Sequence, residues 1–100
     1  MIKHLVFWKL NPELERDDAL GRVAVIRERL EALVGVVPGL RHIEVGLDFS
    51  DSDASFDVAL YSELDSREAL ASYQVHPDHV AVVGLAREVF GERAVVDYEA

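Results

Sequence analysis

Apolar residues recur with two different periods along this chain. From Ile2 to Leu10 (IKHLVFWKL) they alternate, Val, Phe and Trp favour extended backbone, and Asn11-Pro12 ends the segment. One face of this strand carries Ile2, His4, Val6 and Trp8, and the other carries Lys3, Leu5, Phe7 and Lys9. Both faces are apolar at their centres, so both need covering. From Leu14 to about Val34 the step changes to three and four. Ala19, Leu20, Val23, Ile26, Leu30, Leu33 and Val34 form one stripe, which predicts an amphipathic helix. Asn11 is placed to cap it with Pro12 at its first position, and a start near Asp17 is the alternative. Gly35 supplies the stop and Pro38-Gly39 a turn.

Alternation returns in Leu40–Phe49 and again in Phe56–Leu64, joined by the polar SDSDAS loop of residues 50–55, which predicts a hairpin. Asp65 then opens a short helix, with Glu68 three positions on in a capping-box arrangement. His76-Pro77 breaks that helix and starts another, with His76 as a cap and Pro77 as the first residue. Val80, Val83, Ala86 or Arg87, and Phe90 follow at helical spacing, Gly91 ends the helix, and Arg93–Tyr98 forms a last strand. The order β-α-β-β-α-α-β is the ferredoxin-like α+β arrangement with a divided second helix, in one domain spanning residues 1–100.

This topology puts helices on one side of the sheet and leaves the other side bare. That side would show Leu5 and Phe7 from the first strand and Ala59 and Tyr61 from the third. A bare apolar sheet is a liability in a single chain, and pairing two sheets face to face closes it as a homodimer, a dimeric α+β barrel.

Charge and composition narrow the partners. Ten basic residues face nineteen acidic ones, for a net charge of −9. Nucleic acid and anionic membrane surfaces are therefore not expected partners. The absence of cysteine removes thiolate chemistry and cysteine metal sites. There is no apolar run of membrane-spanning length and no signal-peptide pattern, so a cytoplasmic protein is expected. No Gly-rich phosphate loop, nucleophile elbow or metal-spaced histidine pair is present, and neither metal nor cofactor is expected.

His79 is the strongest candidate for chemistry. It lies in the first turn of the helix that Pro77 opens, where the helix N-terminus and any burial favour the neutral, basic imidazole. Tyr73, six residues earlier across the break, offers a hydroxyl to a developing oxyanion. The competing reading is structural: both side chains bind the helix junction together. Val6, Trp8, Val80 and Phe90, with Phe56, read either as a filled core or as the walls of an apolar cavity for a small ligand. Asp48, Asp51 and Asp53 read as a solvated hairpin tip, and His42 as a solvated strand position.

HLVFWKL, PGLRHIEVG, YSELDSREALASYQVHPDHV and VVDYE occur in this order over nearly the whole chain. Together they resemble the stress-responsive dimeric α+β barrel (Dabb) family. The resemblance implies a homodimer joined sheet to sheet and a pocket between helices and sheet. In a plant member of the family, a cyclase that works by intramolecular aldol condensation without a cofactor, the catalytic tyrosine and histidine look like Tyr73 and His79. Its strand-one histidine looks like His4. Ala19, Leu20 and Val23 stand where that enzyme has bulkier aromatics, so the resemblance implies a pocket of different shape. The expected function is cofactor-free acid–base chemistry on a small carbonyl or polyketide-like compound. The alternatives are a non-catalytic stress-response or ligand-binding dimer, and a cofactor-free monooxygenase-like or haem-handling dimer.

Overall fold

The computed structural model describes residues 1–100. It contains β1 (Ile2–Leu10), α1 (Arg16–Glu31), β2 (Leu40–Leu47), β3 (Val58–Leu64), α2 (Arg67–Val75), α3 (Pro77–Val89) and β4 (Phe90–Glu99). The strands form one antiparallel sheet in the order β2-β3-β1-β4, the ferredoxin-like arrangement. No helix is long and apolar enough to cross a membrane.

Pairing sets each strand's two faces. His4 lies opposite Ser62 on one side and Asp97 on the other, and Trp8 lies opposite Val58 and Arg93. Directly paired residues share a sheet face, so Ile2, His4, Val6 and Trp8 all look toward the helices. The core is built there. Ile2 and Val6 meet Val58, Leu60 and Leu64 of β3, and α1 supplies Ala19, Val23, Ile26 and Leu30, all buried. Ser62 is fully buried among them and donates its hydroxyl to the His4 carbonyl at 3.0 Å, so the apolar core contains no orphaned hydroxyl at this point.

The opposite face carries Leu5, Phe7, Ala59 and Tyr61, all half-buried, beside the exposed Val96 of β4. Lys3 pairs with Glu63 at its edge, and the Tyr61 hydroxyl donates to Glu63 at 2.8 Å. Phe56, from the segment before β3, packs on Phe7 on this face.

Several element boundaries differ from those expected, and each has a local cause. α1 starts at Arg16 with Glu15 as its N-cap, beside the alternative start near Asp17 and not at Leu14 with Asn11. Asn11 instead closes a turn of its own, accepting from the Glu13 N–H at 3.0 Å. α1 also ends at Glu31, before Gly35, which takes φ 89° in the following turn; Val34 is exposed. α2 is capped by Ser66, whose hydroxyl accepts from Ala69 N–H at 3.1 Å. Asp65 is held one residue earlier by both nitrogens of an Arg41 fork at 2.7 Å, which keeps its carboxyl below the usual carboxylate range. β2 and β3 are shorter than expected, ending at Leu47 and starting at Val58. β4 is longer. It begins at Phe90, because a bulge between the Trp8 and Leu10 registers lets Phe90 pair with Leu10.

Gly39 turns the chain into β2 with φ 83°, and a Cβ there would lie 2.7 Å from the Ala69 Cβ. Gly39→Ala therefore combines left-handed strain with a clash, and is expected to cost about 1–3 kcal/mol. Gly21, inside α1, has open space around it. The same change there is expected to stabilise by about 0.5–1 kcal/mol. Urea unfolding of the two variants checks the opposite signs.

Candidate active site

The break between α2 and α3 brings the candidate residues together. Pro77 occupies the first position of α3, and His76 caps it by accepting the Asp78 N–H on Nδ1 at 3.1 Å. The His76 N–H donates back to the Tyr73 carbonyl at 3.2 Å. With the chain redirected in this way, the rings of Tyr73 and His79 come within 4.2 Å, tilted by 43°. The ring of His4, rising from β1, meets Tyr73 edge-on at 6.2 Å.

Hydrogen bonding fixes the state of each group. His79 Nδ1 lies 3.2 Å from the Gln74 carbonyl oxygen. A carbonyl only accepts, so Nδ1 carries the proton and Nε2 is the basic nitrogen. Burial lowers the pKa of His79, and the charges of His4, Arg93 and His76 act in the same direction, against the Gln74 bond. The imidazole is thus held neutral. Burial pushes the Tyr73 phenol well above its ordinary value, so it remains a protonated donor. Tyr73 is 1% exposed, its hydroxyl takes part in no hydrogen bond with the protein, and no buried polar side-chain atom is orphaned. The hydroxyl therefore opens onto space, and that space is the cavity between sheet and helices. His4 is buried, and Asp97 binds its Nδ1 from the neighbouring strand, which orients the ring.

The cavity has a volume of about 310 Å³. Val6 and Trp8 form its sheet side, with Phe90 stacked on Trp8 at 4.4 Å and 6°. Ile26 and Leu30 of α1 and Val82 of α3 contribute further apolar wall. Its size is at the lower end of ligand pockets, which run about 300–1,000 Å³. His4, Tyr73 and His79 all line it.

Two expected wall residues lie elsewhere. Val80 is 52% exposed, because the helix phase that turns His79, Val82 and Ala86 inward carries Val80 outward. Phe56 packs on Phe7, on the other face of the sheet, at 6.3 Å. Gln74, Arg87 and Arg93 also line the cavity, and none of them is a candidate on sequence pattern. The one sequence signal for Arg93 is its place at the start of the expected last strand; only the pairing with Trp8 shows which face it takes. Away from the cavity, Asp48 accepts the Asp51 N–H at 2.8 Å and the Ser50 hydroxyl at 2.9 Å, which lowers its pKa. His42 is exposed on β2 beside Glu44 at 3.1 Å.

Comparison with known proteins places this geometry among relatives. The sequence profile of the Stress responsive A/B Barrel Domain family (Dabb) matches residues 2–100. An uncharacterized protein of Streptomyces coelicolor, SCO4036, is 40% identical over 99 residues, covering 99% of each chain. The crystal structure of a dimeric protein of unknown function and ferredoxin-like fold from Bacteroides fragilis is similar with TM-score 0.90 and 35% identity. That match covers 99% of this chain and 95% of the other. A hydroxynitrile lyase from Passiflora edulis shares the fold at TM-score 0.78 and 17% identity, covering 97% and 90%.

Proposed function

This chain belongs to the stress-responsive A/B barrel (Dabb) family, and from that membership and its cavity we propose that it is a homodimeric, cofactor-free acid–base catalyst acting on a small carbonyl compound. The observation that carries the reading is the Tyr73–His79 pair at 4.2 Å on the cavity wall, one an unengaged donor and the other a neutral base. Dimerisation through the open sheet face is supported by the dimeric Bacteroides fragilis relative. The fold shared with a hydroxynitrile lyase from Passiflora edulis supports an enzymatic reading.

His79 Nε2 removes the proton α to a carbonyl, and the Tyr73 hydroxyl donates to the enolate oxygen as it forms. The carbanion then attacks a second carbonyl of the same molecule, giving a carbon–carbon bond and an alkoxide, which takes the proton back from His79. His4, held by Asp97, orients the ring of Tyr73 and borders the substrate. Trp8, Val6 and Phe90 exclude water from the enolate.

Exchange of α-protons for deuterium in a series of small aryl and alkyl ketones, followed by proton NMR, tests the first step without needing the natural substrate. The native protein is expected to exceed free imidazole at equal concentration. His79→Gln should lose about 10²–10⁴-fold, and Tyr73→Phe about 10²–10³-fold. The rate should rise with pH through a value below that of an ordinary histidine, because burial favours the base form. Equal exchange in native protein and both variants would leave a ligand-binding dimer as the better description.

A further inference from the structure

Six of the ten Lys and Arg side chains pair with carboxylates: Lys3, Lys9, Arg22, Arg27, Arg41 and Arg67. Arg16, Arg29, Arg87 and Arg93 do not. An exposed guanidinium is ordinarily solvated, as Arg16 and Arg29 are, so what sets Arg87 and Arg93 apart is their place. Two of these four line the same cavity, and their acidic chain neighbours are drawn elsewhere. Glu88, next to Arg87, reaches toward Arg22 at 3.9 Å, and Glu92, next to Arg93, binds Lys9 at 3.2 Å. Arg93 comes from β4 on the face of Trp8, and Arg87 from the last turn of α3. Both are exposed residues at the rim of a cavity whose buried wall is mostly apolar, with His4 and Tyr73 as its buried polar members.

We propose that the cavity takes a small apolar molecule bearing a carboxylate, with the apolar body against Trp8 and Phe90 and the carboxylate between Arg87 and Arg93. Two guanidinium forks suit a planar, singly charged oxyanion, and at the rim the charge keeps part of its hydration. This rests on the cavity being the ligand site of the proposed function, and it holds whether or not the bound molecule turns over. It also sets the orientation, with the carboxylate end outward and the carbonyl end toward Tyr73 and His79.

Calorimetric titration of the native dimer with hexanoate and with hexanamide tests the inference. Hexanoate should bind at least about tenfold more tightly, the scale of one charge-assisted hydrogen bond. Arg87→Gln and Arg93→Gln should each bring the ratio of hexanoate to hexanamide affinity most of the way to one. Arg16→Gln and Arg29→Gln, which change the net charge equally, should leave it intact. Added salt should weaken hexanoate alone. Equal binding of the acid and the amide overturns the carboxylate preference and leaves the cavity as a ligand site. Binding of neither overturns both. An equal loss of hexanoate binding in all four arginine variants reduces the effect to net charge and also overturns the proposal.

Discussion

Phe7→Asp is expected to convert the protein from a pair of chains to single chains, with the mass in solution halved. Phe7 lies in the middle of the open sheet face, in register with Ala59 on one side and Ala94 on the other. Within one chain it is only half-buried, with Phe56 as its aromatic neighbour, so the single chain should tolerate a polar residue. In a two-fold pair of sheets the same position is covered, and the substitution enters twice. An unpaired carboxylate buried in an apolar interface costs several kcal/mol, enough to shift dissociation by orders of magnitude. Sedimentation or native mass spectrometry reads the outcome. Val80→Asp, on the exposed flank of α3, is the matched control and should stay paired. A native protein that already runs as one chain, or a Phe7→Asp variant that remains paired, would sink the sheet-to-sheet assembly.

Tyr73→Ala is expected to cost about 3–5 kcal/mol, the range for emptying a buried aromatic site. Tyr73 is among the largest fully buried side chains, wedged between His79 and His4 where α2 meets the sheet. Tyr73→Phe should cost less than about 1 kcal/mol, because the hydroxyl it loses has no protein partner to strand. Urea midpoints at constant slope compare the two variants. A loss above about 2 kcal/mol in Tyr73→Phe would mean that the hydroxyl is bonded within the fold, and its role as a donor to substrate would fail.

Phe7 and Tyr73 also differ in how far the chain alone reveals their surroundings. Strand faces are legible because alternation is a property of each strand by itself, so Leu5 and Phe7 fall together on the bare side. The α2–α3 break is legible because Pro77 leaves few conformations open and His76, just before it, closes α2 and caps α3. The juxtaposition of Tyr73 and His79 follows from that break. Other features depend on competition between neighbours. Asn11, Ser66 and Asp65 are all good caps, and choosing among them requires knowing that Arg41 claims Asp65 and that Asn11 closes its own turn. Val80, Val82 and Val83 are the same residue type, so their inward or outward phase is decided by where the sheet lies. Arg87 and Arg93 look like ordinary solvated charges in the sequence. Their common rim emerges only when the strand register sets Arg93 opposite Trp8.

The stacking of Trp8 on Phe90 has a practical consequence. Trp8 is the only tryptophan in the chain, and it stands in the cavity wall. Its indole emission therefore comes from a single known place, half-shielded by one aromatic neighbour. A molecule entering the cavity would replace water against that ring and change the wavelength and intensity of the emission. The protein thus carries its own optical reporter, so compound libraries can be surveyed by intrinsic fluorescence, with no label and before any reaction is identified. Phe90→Leu, which removes the stacked partner and keeps the wall apolar, would calibrate how much of the signal comes from the stack.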